Sequence, residues 1–315
     1  MSAFIYKSLS VLFFVLMSVC IKATGDHIPL FQVVFFRNFF ALIPLFFVIY
    51  FLKLKLSTIN KYPLHLGRAV IGITAMSLFF ISIRYVPLVE MQTISFSSVF
   101  FISILSVFFL GEKIGYRRII AVIVGFIGVV IILNPGSAIF SNYSFLPLIA
   151  SFFLSIAVIF LKKILLTNNN ILSVWIFTAF CTVISLFFYD DTWIWPQNYD
   201  LIFMVASGFL GFIAQICLTK SFQMADASLL APLDFSSVIW SFLIGYIFFQ
   251  EFITLNGLFG GLIIIMSVSY IFYRERVLKK QIVLGKTNVF QAQGSEKQII
   301  PGKKKLYLWI QLGRT

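Results

Sequence analysis

The sequence predicts an all-α integral membrane protein, with ten transmembrane helices arranged as two inverted five-helix repeats. Three observations predict it: an apolar composition, ten apolar runs of spanning length, and a motif that recurs at a fixed offset. Of the 315 residues, 60% are hydrophobic and 11% are charged, against roughly 45–50% and 25% in ordinary soluble domains. Mean hydropathy is +1.01. A soluble fold of this length could not hide that much apolar surface, so lipid has to solvate much of it.

A helix needs ~20 mostly apolar residues to cross the hydrocarbon core. Such runs lie at 4–22, 28–52, 66–83, 87–110, 117–134, 145–166, 171–189, 201–219, 227–249 and 255–273. The first run carries one positive charge, Lys7, and no A-x-A cleavage pattern, so it reads as a span rather than a signal peptide. On one side of the alternating loops lie eleven basic residues: Lys7, Lys53, Lys55, Lys61, Arg68, Lys113, Arg117, Arg118, Lys162, Lys163 and Lys220. Only Lys22 and Arg84 fall on the other side, where Asp190, Asp191 and Asp200 also lie. The positive-rich side is cytoplasmic, which places both termini inside.

The repeat appears when the chain is slid by 139 residues. Phe96, Ser97, Ser98 and Val99 then fall on Phe235, Ser236, Ser237 and Val238, while Glu112 and Ile114 fall on Glu251 and Ile253. In each copy a long apolar helix follows the tetrapeptide, ends at a glutamate and leads through a short turn to another helix. Five helices per copy is an odd number, so the second copy enters the bilayer upside down. Residues 1–135 and 143–275 form the two repeats, followed by a basic tail at 276–315. Inverted repeats place a substrate site near the midplane at their interface, and rocking of the halves alternates access. The pattern points to a secondary carrier of a small organic solute.

Several residues stand out within the spans. Arg37 lies ten residues into its run, near the bilayer centre, where an arginine costs at least ~2.5–3.5 kcal/mol. Either a substrate carboxylate or phosphate gripped by two parallel hydrogen bonds, or a structural pairing such as one with Asp234, would offset that cost. Asp234 follows Pro232, which removes a backbone donor. It suits a substrate amine or a coupling proton, or else a partner such as Arg37 or Lys220. Glu90 opens the fourth span beside Pro87, as a rim or binding residue. Trp240 is placed to stack on a substrate ring, or to pack. Glu112 and Glu251 end matching helices, where the helix dipole disfavours a carboxylate. Each is read as a structural motif that caps the start of the next helix. The pairs Gly257/Gly261 and Ala121/Gly125 suit close helix packing, within the chain or between two copies in a homodimer.

Other chemistries lack their residues. Net charge is +13, but no compact basic domain stands outside the apolar runs, so nucleic acid is not an expected partner. Cys20, Cys181 and Cys217 are far apart and lack metal-ligand spacing, and His27 and His65 read as short-loop residues with no H-E-x-x-H. No metal is expected. Gly285, Lys286 and Thr287 lack the earlier glycine of a P-loop, whose position is Lys280, so no nucleotide cofactor is expected either. Lys303, Lys304 and Lys305 make the tail either a cytoplasmic extension or a weak anchor for anionic headgroups. The alternative function is an intramembrane enzyme, but the deep ionisable residues are a lone Arg37 and a shallower Asp234, without paired acids.

Taken in order, Phe-Phe-Arg-Asn-Phe-Phe at 35–40, Arg-Tyr-Val-Pro-Leu at 84–88, Phe-Leu-Gly-Glu at 109–112, Gly-Phe-Ile-Gly-Val-Val at 125–130, Ala-Asp-Ala at 225–227 and Phe-Phe-Gln-Glu at 248–251 resemble the EamA branch of the drug/metabolite transporter superfamily. The resemblance covers residues 1 to about 275. It implies ten helices from two inverted repeats, transport of amino acids, metabolites and related solutes, and residence in a bacterial inner membrane. Phe35–Phe40 is also similar to a stretch of bacterial S-adenosylmethionine uptake transporters. The arginine of the second span and the Leu-Gly-Glu glutamate match at Arg37 and Glu112. Glu251 follows Phe-Phe-Gln, a departure from the pattern.

Overall fold

A computed structural model describes residues 2–110, 115–134, 142–165, 168–224, 230–274 and 277. Among these residues the secondary structure is helical, with no strand. The helices are α1 (Ser2–Ala23), α2 (Leu30–Phe51), α3 (Tyr62–Tyr85), α4 (Leu88–Ser95), α5 (Ser97–Leu110), α6 (Tyr116–Leu133), α7 (Leu146–Leu165), α8 (Asn170–Leu186), α9 (Asn198–Met224) and α10 (Ser236–Phe249), then α11 (Leu255–Arg274). Eight helical segments are long and apolar enough to cross a membrane, with α4 and α5 counted as one. Two shorter apolar helices, Asn170–Leu186 and Leu233–Phe249, occupy the seventh and ninth sequence runs. The chain divides into two units, Met1–Ile271 and Phe272–Thr315, and the site residues discussed below belong to the first. Glu112 and the tail lysines lie outside the described residues.

Prolines mark where the helices begin. Pro29 and Pro87 precede α2 and α4, and Pro63 occupies the first turn of α3, a position where its missing N–H costs nothing. Left-handed residues end two helices: Asn134 (φ 40°) closes α6, and Gln250 (φ 53°) closes α10. The Phe-Ser-Ser-Val copies fall at irregular points. The first interrupts the fourth span between α4 and α5 at Phe96, and the second follows a 3-10 turn at Ala231–Phe235. The rings of Phe96 and Phe235 meet, with centroids 5.1 Å apart.

The helix surfaces are ordered for lipid. On α6 the inward face carries Ala121, Val122, Gly125, Gly128 and Val129, while Ile119, Ile120, Ile123, Val124, Ile127 and Val130 point outward. Small residues inside and branched aliphatics outside suit helices that meet closely and face acyl chains. Several buried hydroxyls turn back onto their own helices: Thr93 donates to Val89 O at 2.7 Å and Ser151 to Pro147 O at 2.7 Å. Inside a bilayer each polar group has to be satisfied internally.

The most extensive helix contacts are α1 with α9 and α3 with α7, followed by α2 with α8 and α9. The small-residue faces are taken up within the chain. A Cβ on Gly257 would meet Glu90 and Thr254, one on Gly261 would meet Thr93, and one on Gly125 would meet the Phe100 ring. Backbone meets backbone where α6 packs on α11: a Cβ on Gly260 would lie 2.5 Å from Gly128 O and one on Gly128 would lie 2.8 Å from Gly260 O. Gly260→Val is therefore expected to lower stability by about 1–3 kcal/mol through overpacking, and Gly260→Ala by less, because alanine regains helix propensity. Thermal unfolding of the purified variants checks this, and an unchanged midpoint for valine contradicts it.

Candidate functional site

Arg37 is the eighth residue of α2 and is 6% exposed. Its Nη1 donates to Asn38 Oδ1 at 2.8 Å, and Nη2 approaches Met17 Sδ of α1 at 3.5 Å. Nε is buried and unpartnered. Among the described residues no carboxylate pairs with it. The guanidinium has room because Gly211 of α9 has no side chain: a Cβ there would lie 2.9 Å from Nη2. Arg37 lines a small pocket with Arg68, Phe177, Thr178, Gly211 and Gln215, so α2, α3, α8 and α9 all contribute.

Arg68 corrects a sequence expectation. In the sequence it reads as a cytoplasmic loop charge, but it is the seventh residue of α3 and 8% exposed. Its Nη1 donates to Ser173 O at 3.1 Å, and its Cζ sits over the Phe177 ring at 4.4 Å from the centroid. A carbonyl and an aromatic face offset part of the burial cost. The signal that could have found it is Pro63, which starts the helix earlier than the apolar run suggests. His65 moves for the same reason: it is buried inside α3 rather than placed in a loop.

Asp234 pairs with neither Arg37 nor Lys220. Its partner is Lys7 of α1, at 2.6 Å; the lysine side chain is buried and the Asp234 side chain is 41% exposed. Lys7 is thus a second basic residue read as a loop charge that the fold has drawn inside. Lys220 lies over the Tyr6 ring instead, at 4.7 Å from the centroid. Asp234 is absent from the Arg37 pocket, as are Glu90 and Trp240. Glu90 accepts a hydrogen bond from Thr254 Oγ1 at 2.8 Å, which ties α4 to the turn before α11. Trp240 lies on α10 with 37% exposure.

Glu251 departs from the expected cap of the following helix. Its Oε2 accepts from Leu88 N at 2.9 Å, at the start of α4, and its Oε1 pairs with Lys22 at the end of α1. Lys22 Nζ also donates to Val86 O at 3.3 Å. The left-handed Gln250 turns the chain back, and the missing side chain of Gly245 leaves space for the carboxylate. One acid therefore joins three segments that are distant in sequence.

A family model described as the EamA-like transporter family matches residues 1–134 and 142–283. The chain belongs to that family. As an EamA-like transporter it is a multi-pass membrane protein that moves a small metabolite, and not an enzyme. It is 30% identical over 257 residues to an S-adenosylmethionine uptake transporter of Rickettsia conorii, covering 81% of this chain and 87% of that protein. It is 28% identical to a riboflavin transporter of Vibrio cholerae over 67% of this chain and 72% of the other. A pseudopaline exporter of Pseudomonas aeruginosa is 22% identical, over 81% and 90%. A solved crystal structure matches with a TM-score of 0.60 at 14% identity, covering 86% of this EamA-like transporter and 96% of the other chain, which speaks for the shared fold.

Proposed function

We propose that this transporter is a secondary carrier of the bacterial inner membrane that imports S-adenosylmethionine or a closely similar amino-acid-bearing solute by alternating access. The observation that carries the reading is Arg37: a buried guanidinium in a pocket, with no carboxylate partner among the described residues. In this reading ten spans form two inverted repeats, 1–135 and 143–275, and both termini are cytoplasmic. Several features support the repeats. The family model matches once in each half. The first helix of each half packs on the third helix of the other, α1 on α9 and α7 on α3. The matched phenylalanines at 96 and 235 touch. The charge asymmetry between loops supports the orientation, although Arg68 and Lys7 are buried and carry less of it than the sequence suggests.

Arg37 grips the substrate's carboxylate. Asp234, on its irregular turn, offers a second contact: an incoming amine or proton competes with Lys7 for the carboxylate. The names of the Rickettsia relatives supply the substrate. The test is uptake of labelled S-adenosylmethionine into proteoliposomes without ATP. Saturable, sidedness-dependent uptake is expected. Uptake of riboflavin or an amino acid in its place would overturn the substrate, and the absence of saturable flux of any of them, in either direction, would overturn the carrier.

A further inference from the structure

We propose that Arg37 and Arg68 together form one anion site, which holds the carboxylate of the solute between two guanidinium groups. This rests on the carrier reading above and deepens it by naming a second binding residue and the chemical group it takes.

The two arginines come from consecutive helices. Counted from the ends of α2 and α3 that the 52–61 connection joins, Arg37 lies ~21 Å in and Arg68 ~9 Å in, at ~1.5 Å per residue. Their Cα atoms thus differ by ~12 Å in depth, yet both side chains line the same pocket. None of the described residues lining it is acidic. Two buried positive charges therefore line one low-dielectric pocket with no acidic residue among its described lining, which is unfavourable unless an anion joins them.

The unspent donors point the same way. A guanidinium offers five N–H groups. Arg68 commits Nη1 to Ser173 O. Arg37 commits Nη1 to its neighbour Asn38, meets a weak sulfur acceptor with Nη2, and leaves Nε bare. Gln215, which also lines the pocket, makes no side-chain hydrogen bond among the described residues. Guanidinium forks match a planar carboxylate through paired N–H donors. The Phe177 ring lies 4.4 Å from Arg68 Cζ and restricts the positions the second fork can take. Arg37 and Arg68 clamp the carboxylate from opposite depths, and the Gln215 amide is the neutral third contact.

The experiment uses the full chain in proteoliposomes, with Cys20, Cys181 and Cys217 replaced by serine and Thr178→Cys placing a single thiol in the pocket lining. Labelling rates are compared for an anionic methanethiosulfonate bearing a sulfonate and a cationic one bearing trimethylammonium, each relative to its rate with a free thiol. A positively charged cleft concentrates anions by 10-fold or more, so the anionic reagent is expected to be favoured by about tenfold. Arg37→Gln or Arg68→Gln should each reduce the preference, and the double replacement should abolish it. S-adenosylmethionine should protect the thiol, and its decarboxylated analogue should not. A preference for the cationic reagent, no labelling by either, or a preference that survives the double replacement overturns the site. If the charge preference behaves as expected while labelled S-adenosylmethionine is not taken up, the anion site stands and the substrate assignment falls.

Discussion

Arg37→Ala is expected to reduce uptake of the labelled solute by about 10–100-fold, because a charge-assisted hydrogen-bonded contact is worth about 1.5–3 kcal/mol. The purified variant is expected to unfold at a midpoint equal to or above that of the parent chain. The second half of the expectation separates binding from scaffolding. A structural arginine would be held by an acid, and removing it would leave that acid buried and unpaired. Arg37 has one side-chain oxygen, that of Asn38, and a methionine sulfur for company. Its removal withdraws a poorly compensated charge from the bundle. Arg37→Lys should recover part of the flux, since it keeps the charge but loses the paired donors. Uptake and thermal unfolding on the same preparations decide the matter. Unchanged flux and apparent affinity in the alanine variant would remove Arg37 from the site, and a lowered midpoint would make it structural.

Glu251→Ala is expected to act in the opposite sense, on stability first. The carboxylate satisfies the Leu88 N–H at the opening of α4 and neutralises Lys22, and both side chains of the pair are largely buried. Breaking such a pair from one side costs about 3–5 kcal/mol, because the surviving charge stays buried and unpaired. Lys22→Met should cost less than Glu251→Ala, because the Leu88 N–H keeps its acceptor, and Lys22→Met/Glu251→Gln should recover part of the loss. Unfolding midpoints of the three variants in detergent give the comparison. Equal midpoints for Glu251→Ala and the parent would mean that the pair contributes nothing. In the orientation proposed above this cluster lies at the outer end of the bundle, so the same variants should also admit external thiol reagents more readily to the pocket.

The spans were legible because the bilayer demands long apolar runs, and eight of the described helical segments are long and apolar enough to cross a membrane. The glutamate at the end of α10 was legible as a special residue, but its partners were not. Lys22 and Glu251 are 229 residues apart, and only the tertiary fold brings them together. Arg68 and Lys7 show the opposite failure. Each sits near a helix end where a basic residue ordinarily reports the cytoplasmic face, so a rule about loops absorbed two side chains that are buried inside the bundle. Arg37 was legible by its cost alone. The second arginine of its pocket was hidden by a helix that begins at Tyr62, four residues before the apolar run does.

The seam between Gly128 and Gly260 has a consequence for how the bundle moves. Over most of the interface, displacing one helix against another means changing rotamers and opening gaps. Here the two glycine backbones meet directly, and the side chains of Ile132, Ile263 and Ile264 close around them, so a slip of one helix would drive branched side chains into the facing backbone. α6 and α11 are therefore expected to travel as one block, keeping their spacing while the helices that line the arginine pocket change theirs.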